Sequence, residues 1–250
     1  MTKRVVFAAN WKMHMGPEGA GAFCDVFLKQ FEARDDREVW FFPPAVTLPT
    51  VVARVKGTGI LVGAQNVFWE PKGAFTGELS VPLTREAGGA AALIGHSERR
   101  HVFSESIEET GRKVRAVLDG GLAPVFCVGE QLAERESGNT IKVVVDQLGA
   151  LNGLSSEDLD RTIIAYEPVW AIGTGKTATP RDASEVHTAI RAWMIQHGAD
   201  DKGVRVLYGG SVKPANAEVL LAEAEIDGVL VGGASLDPES WQKIVSVEVN

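Results

Sequence analysis

Short runs of apolar, β-branched and aromatic residues recur eight times along the 250-residue chain, and their starts lie roughly thirty residues apart, the length of a strand–helix–strand unit. The runs cover residues 5–9, 39–42, 60–64, 91–95, 123–128, 162–166, 204–207 and 228–231. They are apolar throughout instead of alternating with polar residues, as strands are when both faces are buried. The stretches between them carry helical signals. Residues 106–118 open on Ser106 with Glu109 three positions later, a capping box, and close on Gly120-Gly121. Residues 180–197 place Val186, Ile190 and Met194 on one face, with Asp182 as a candidate cap and Gly198 as the stop. No linker, low-complexity tract or charge block interrupts the alternation. A single parallel α/β domain over residues 1–250 is therefore expected. Eight repeats in this length favour a closed (β/α)8 barrel over an open doubly wound sheet.

Composition narrows the range of partners. Apolar residues make up 45% of the chain, enough for a large core. Against 33 acidic residues stand 25 basic ones, a formal charge of −8, and an acidic field of this kind argues against nucleic acid or an anionic membrane as partner. A small anionic substrate needs only a local cationic pocket and remains open. Cys24 and Cys127 form no CxxC pair, which disfavours a zinc ribbon or dithiol motif and suits a reducing compartment. The apolar run 5–9 is too short for a signal-peptide core, and no run reaches bilayer-spanning length. A cytoplasmic location is the expectation.

Polar residues gather where the strands end: Asn10 and Lys12, Gln65-Asn66, His96 and Glu98, Cys127 and Glu130, Glu167, Gly209-Gly210-Ser211, and Gly232-Gly233. In a barrel these loops meet at one rim, where active sites of this architecture lie. Glu167, held extended by Pro168, is either a solvated turn carboxylate or, if the apolar 169–172 segment shields it, a general base whose pKa burial would raise. His96 is structural or catalytic; a helix starting at Ser97 would disfavour its imidazolium form and leave a neutral hydrogen-bond donor. His96 and His101 lack a ligand spacing, so no metal is expected. Lys12 is a surface lysine or an anion contact. Gly173-Thr174-Gly175-Lys176-Thr177 looks like the end of a P-loop, but the required earlier glycine is Trp170, and the reading fails there. The same stretch is a weak dinucleotide match in the wrong context. The glycines ending the last two strands are tight turns or, as the barrel placement favours, phosphate-binding backbone.

Several segments together resemble the triosephosphate isomerase family: Asn10-Trp11-Lys12-Met13, Gly73 to Glu78, Ile94-Gly95-His96-Ser97-Glu98-Arg99-Arg100, Cys127-Val128-Gly129-Glu130, Ala165 to Ala178, Tyr208 to Lys213, and Val231 to Leu236. The match runs nearly end to end, in order. One departure is Ala90-Ala91-Ala92, small residues in the fourth strand where the family tends to place larger ones, which bears on core packing. The resemblance implies interconversion of dihydroxyacetone phosphate and D-glyceraldehyde 3-phosphate, a step of glycolysis and gluconeogenesis, without a cofactor. It implies Glu167 as the base, neutral His96 as the donor to the substrate oxygens, and Lys12 with Asn10 beside them. Glu98 and Cys127 are supporting residues. Gly173, Ser211, Gly232 and Gly233 fall to the phosphate. By the same resemblance Pro168, Val169, Trp170, Ala171, Ile172, Gly173, Thr174, Gly175, Lys176, Thr177 and Ala178 would be the lid. Phe75 and Thr76 would reach a second copy of the chain near Met13-His14, making a homodimer. Competing readings are another sugar-phosphate barrel enzyme, an NTP-dependent enzyme using Gly175-Lys176-Thr177, and a barrel kept for binding alone. A Schiff-base aldolase would need a buried strand lysine, and the lysine at hand, Lys12, lies in a loop.

Overall fold

A computed structural model describes residues 4–172 and 178–249. Eight strands, β1 (Val5–Asn10), β2 (Arg37–Phe42), β3 (Leu61–Ala64), β4 (Ala91–Ile94), β5 (Ala123–Val128), β6 (Ile163–Tyr166), β7 (Arg205–Tyr208) and β8 (Gly228–Val231), pair in parallel in chain order. β1 pairs with β8, so the sheet closes on itself as a TIM barrel. Six expected runs shift at an end by a residue or two, while those at 123–128 and 228–231 match β5 and β8. β2 begins at Arg37, a buried cation that donates to the carbonyls of Val245 and Val247 and so fastens the C-terminal segment to the barrel floor.

Alternate residues of each strand face opposite ways. Val6, Ala8, Trp40, Phe42, Leu93, Val125 and Ile163 fill the lumen, while Phe7, Phe41, Ile94, Phe126, Ile164 and Tyr166 face the helices. The lumen is thus packed with side chains, and only its rim can receive a ligand. The small residues of β4 have a place in this packing. Ala91 lies in the lumen with Trp40 and Phe42, and a Cβ on neighbouring Gly63 would come within 2.4 Å of the Phe42 ring. Wide side chains on β2 are balanced by an absent one on β3 and a small one on β4.

The expected helices form at Ile107–Asp119 and Pro180–Gln196. Ser106 caps the first in the expected reciprocal box with Glu109. The second corrects the sequence reading: Thr179 is the cap and Asp182 its return partner, Thr179 Oγ1 accepting from Asp182 N while Asp182 accepts from Thr179 N. Cys24 and Cys127 are free and buried. No helix among the described residues is long and apolar enough to cross a membrane.

Candidate active site

The carboxyl ends of the strands open onto a cavity of about 670 Å³ whose lining includes Asn10, Lys12, His96, Glu167, Ser211 and Gly232. Residues from β1, from the loops after β4 and β6, and from those after β7 and β8 meet there.

Asn10 is the last residue of β1 and is buried. Its Oδ1 accepts the main-chain N–H of Lys12 at 3.0 Å, while Gln65 Nε2 donates to Lys12 O at 2.7 Å and to Phe42 O at 2.8 Å. These bonds hold Lys12 at a positive φ of 51°, an uncommon conformation for a side-chain-bearing residue. The constraint aims the lysine across the rim. Its Nζ meets Glu98 Oε1 at 2.6 Å, and a Cβ on Gly232 would touch Lys12 Cε at 3.4 Å. Trp11 Nε1 adds a bond to Ser235 O, joining the first loop to the eighth.

His96 caps the short helix Ser97–Val102, with Nδ1 accepting from Glu98 N at 3.3 Å. Its Nε2 lies 2.9 Å from Glu167 Oε1, and Ser97 N donates to Glu167 Oε2 at 2.8 Å. The structure decides between the two readings left open for Glu167 in favour of burial, and corrects the expected direction of its pKa. The carboxylate is not solvated: the residue is 2% exposed. Its pKa is lowered, not raised. Burial does push it up, but the imidazole, the Ser97 N–H and the Lys12 charge together outweigh burial. For His96, burial is the largest single influence and presses the pKa down, but the charge and hydrogen bond of Glu167, with the Glu98 charge, together raise it. The peptide N–H aimed at Nδ1 can be accepted only by an unprotonated nitrogen, so we assign a neutral ring with its proton on Nε2, shared with Glu167. Cys127, in the lumen beneath, keeps its thiol protonated because burial and the Glu167 charge both raise its pKa.

The backbone of Glu167 is clamped from both sides. Its N–H donates to Val128 O at 2.7 Å, and Gly209 N donates to Tyr166 O at 2.7 Å. The clamp is so close that a Cβ on Gly129 would fall 1.8 Å from Glu167 O, and one on Gly209 would fall 2.9 Å from Glu167 Cγ. Beyond Glu167, Trp170 Nε1 donates to Glu130 Oε1 at 2.7 Å and Tyr166 OH reaches the same carboxylate. Burial raises the pKa of Glu130 against those two bonds.

A family profile described as triosephosphate isomerase matches residues 5–248. The chain is 49% identical to a triosephosphate isomerase of Caldanaerobacter subterraneus over 98% of its own length and 99% of the relative's. It is 48% identical to one from Aquifex aeolicus, over 97% and 98%. A third, from Solibacter usitatus, shares 47% over 98% and 99%.

The chain belongs to the triosephosphate isomerase family.

Set against the residues that membership of this family implied, Asn10, Lys12, His96, Glu167, Ile172, Ser211, Gly232 and Gly233 all line the one cavity. Glu98 reaches it through Lys12. Of the lid, Val169–Ala171 forms a short helical turn and Ala178 is buried next to the Thr179 cap, whereas Gly173, Thr174, Gly175, Lys176 and Thr177 lie outside the described residues. Phe75 and Thr76 stand apart, in an exposed loop where Phe75 packs on Phe68. Among the described residues no three His, Cys, Asp or Glu side chains group as metal ligands do. Sequence reasoning assigned no part to Gln65, Ser97 or Gly129. Gln65 was noted only as a polar strand end, and the other two act through the backbone, where residue type leaves little trace.

Proposed function

We propose that this chain carries out the reaction of its family, interconversion of dihydroxyacetone phosphate and D-glyceraldehyde 3-phosphate, with Glu167 as the base, His96 as the hydrogen-bond donor and Lys12 with Asn10 at the substrate oxygens. The observation that carries the reading is the buried carboxylate–imidazole pair in the same cavity as an ammonium and glycine-lined loops. In the free site both oxygens of Glu167 are occupied, by His96 Nε2 and by Ser97 N. A substrate carbonyl entering beside Nε2 takes over that donor. Glu167, released, gains basicity and removes the proton from the carbon next to the carbonyl. The enediolate then forms against a neutral N–H and the Lys12 charge, and the proton returns to the neighbouring carbon. Electrons and atoms balance within one molecule, so the scheme calls for no cofactor.

The open backbone at Gly232 and Gly233, with Ser211 and Gly173, is the proposed phosphate grip, and Pro168 to Ala178 the lid. Binding energy from the phosphate, remote from the reacting carbons, then goes into closing the lid and excluding water. We further propose that residues 1–250 form one domain, that the enzyme works in the cytoplasm, and that it pairs with a second copy. Met13 is 95% exposed and Phe75 42%, apolar surface suited to burial by that copy.

The test is a coupled assay for glyceraldehyde 3-phosphate formation from dihydroxyacetone phosphate. Glu167→Gln should lower kcat by about 10²- to 10⁴-fold, the usual worth of a positioned base, with analogue binding largely retained. Turnover within tenfold of the parent would remove Glu167 from the role.

A further inference from the structure

Arg100 lies behind the site and touches none of the cavity, yet it stands at the junction from which both halves of the His96–Glu167 pair are launched. β4 and β5 pair from Ala91↔Ala123 to Ile94↔Phe126, and there the ladder ends. Past that point Val128 turns its carbonyl toward β6, where it receives Glu167 N. Carbonyl directions alternate along a strand, so Cys127 turns its own toward β4, which no longer offers a partner. Arg100 supplies one. Its Nη2 donates to Cys127 O at 3.1 Å and its Nε to Gly95 O at 2.8 Å. The guanidinium lies over the Phe126 ring, 5.4 Å from its centre. Room for it exists because residue 95 has no side chain: a Cβ there would stand 2.6 Å from Arg100 Nη2. Gly95 also has a φ of 67°, the turn that lets the chain leave β4 and present His96.

We propose that Arg100 is a positioning residue for the isomerisation, a planar two-pronged bracket that sets the His96 loop and the short helix Ser97–Val102 against the β5 loop on which Glu167 hangs. The proposal rests on the functional reading above. Both donors to Glu167, His96 Nε2 and Ser97 N, sit within two residues of the Gly95 carbonyl that Arg100 grips. A lysine at this place has a single ammonium and cannot hold two carbonyls in the fixed fork of a guanidinium. The loops after β7 and β8 receive neither of these bonds, so phosphate binding should be spared.

Arg100→Lys and Arg100→Gln test it. Both should lower kcat by about 10²-fold, the scale of an ångström's misplacement, with KM within threefold. The acid limb of the kcat/KM profile should move to higher pH as Glu167 loses its donors. In ¹⁵N-histidine-labelled protein, the Nε2–H signal of His96 should broaden or shift toward that of a water-exposed ring. Unchanged kcat, an unmoved acid limb and an intact His96 signal in a folded variant would overturn the proposal. A wild-type chain without turnover would instead overturn the functional reading, and the His96 signal would still decide the role of Arg100. If one variant fails to fold, the other carries the measurement.

Discussion

A methyl group added at Gly129 should damage catalysis far more than so small a change suggests. The residue follows β5 and makes no side-chain contact of its own. The main chain of Glu167 crosses directly over it, so that a Cβ would fall 1.8 Å from Glu167 O, 2.6 Å from its carbonyl carbon and 3.2 Å from its Cα. Reaching even 3.0 Å, tighter than real Cβ atoms come, means parting the two segments by at least about 1.2 Å. Gly129 cannot be the one to retreat. Its N–H donates to Gln147 Oε1 at 2.7 Å and its carbonyl accepts from Gln147 Nε2 at 3.0 Å, both buried, so a single amide grips the peptide at both ends. Glu167 must move, and with it the carboxylate that meets His96 and Ser97. A displacement of this size near reacting groups costs on the order of 10²-fold in rate. Overpacking a tight interior costs about 1–3 kcal/mol. Gly129→Ala should therefore lower kcat by about two orders of magnitude. Its Tm should fall by roughly 2–12 °C, taking about 2–4 °C per kcal/mol for a chain of this size. The readouts are the coupled isomerase assay and a thermal melt on the same preparation, with binding of a phosphate-bearing analogue as the control that the fold persists. A variant with kcat within threefold of the parent and an unchanged Tm would refute the reasoning, because Glu167 would then not be fixed from below.

Three further outcomes follow from other parts of the molecule. His187 is fully buried, with Nδ1 3.0 Å from Glu225 O and Nε2 without a partner, and burial lowers its pKa from 6.5 to about 4. The unfolded chain takes up this proton before the folded one, so stability should fall as pH drops below 6.5, by about 3 kcal/mol on reaching pH 4. Urea midpoints of the parent and His187→Asn, compared at pH 7 and pH 4.5, should converge in acid, and parallel curves would count against it. Thr179→Ala removes the cap of the helix that follows the lid and should cost about 0.5–2 kcal/mol in the melt, with an unchanged Tm the contrary result. Deleting the lid tip, residues 172–176, should raise the share of substrate lost to phosphate elimination, measured as inorganic phosphate per turnover, and an unaltered share would defeat the lid assignment.

The barrel was legible because its strands are covered on both faces, and that leaves an unbroken apolar run for each. Where a strand carries a polar residue the edge moved: Arg37 belongs to β2 although its charge hides it from an apolar pattern, being buried against main-chain carbonyls. Thr179 was passed over in favour of Asp182 since both are capping types and three positions apart, and only the backbone decides which of them stands outside the helix. The site was legible as far as side chains announce it. Asn10, Lys12, His96 and Glu167 are polar residues at strand ends, and closure of the barrel collects such residues on one rim.

What sequence could not supply is the sign of the electrostatics. Burial of Glu167 could be read from its apolar neighbours, and burial alone raises a carboxyl pKa. The opposite shift comes from partners two strands away, Ser97 N and His96 Nε2, one of them a peptide group with no residue type to read. This bears on how the reaction must start. A carboxylate held ionised by two donors is present as base at neutral pH but is a weak one. Its strength becomes available only when the substrate displaces those donors, so the resting site keeps the base charged and lets binding, not pH, release it. The same geometry explains why the residues that sequence undervalues, Gly129 beneath Glu167 and Arg100 between β4 and β5, lie behind the pair: they fix how far the two groups stand apart before any substrate arrives.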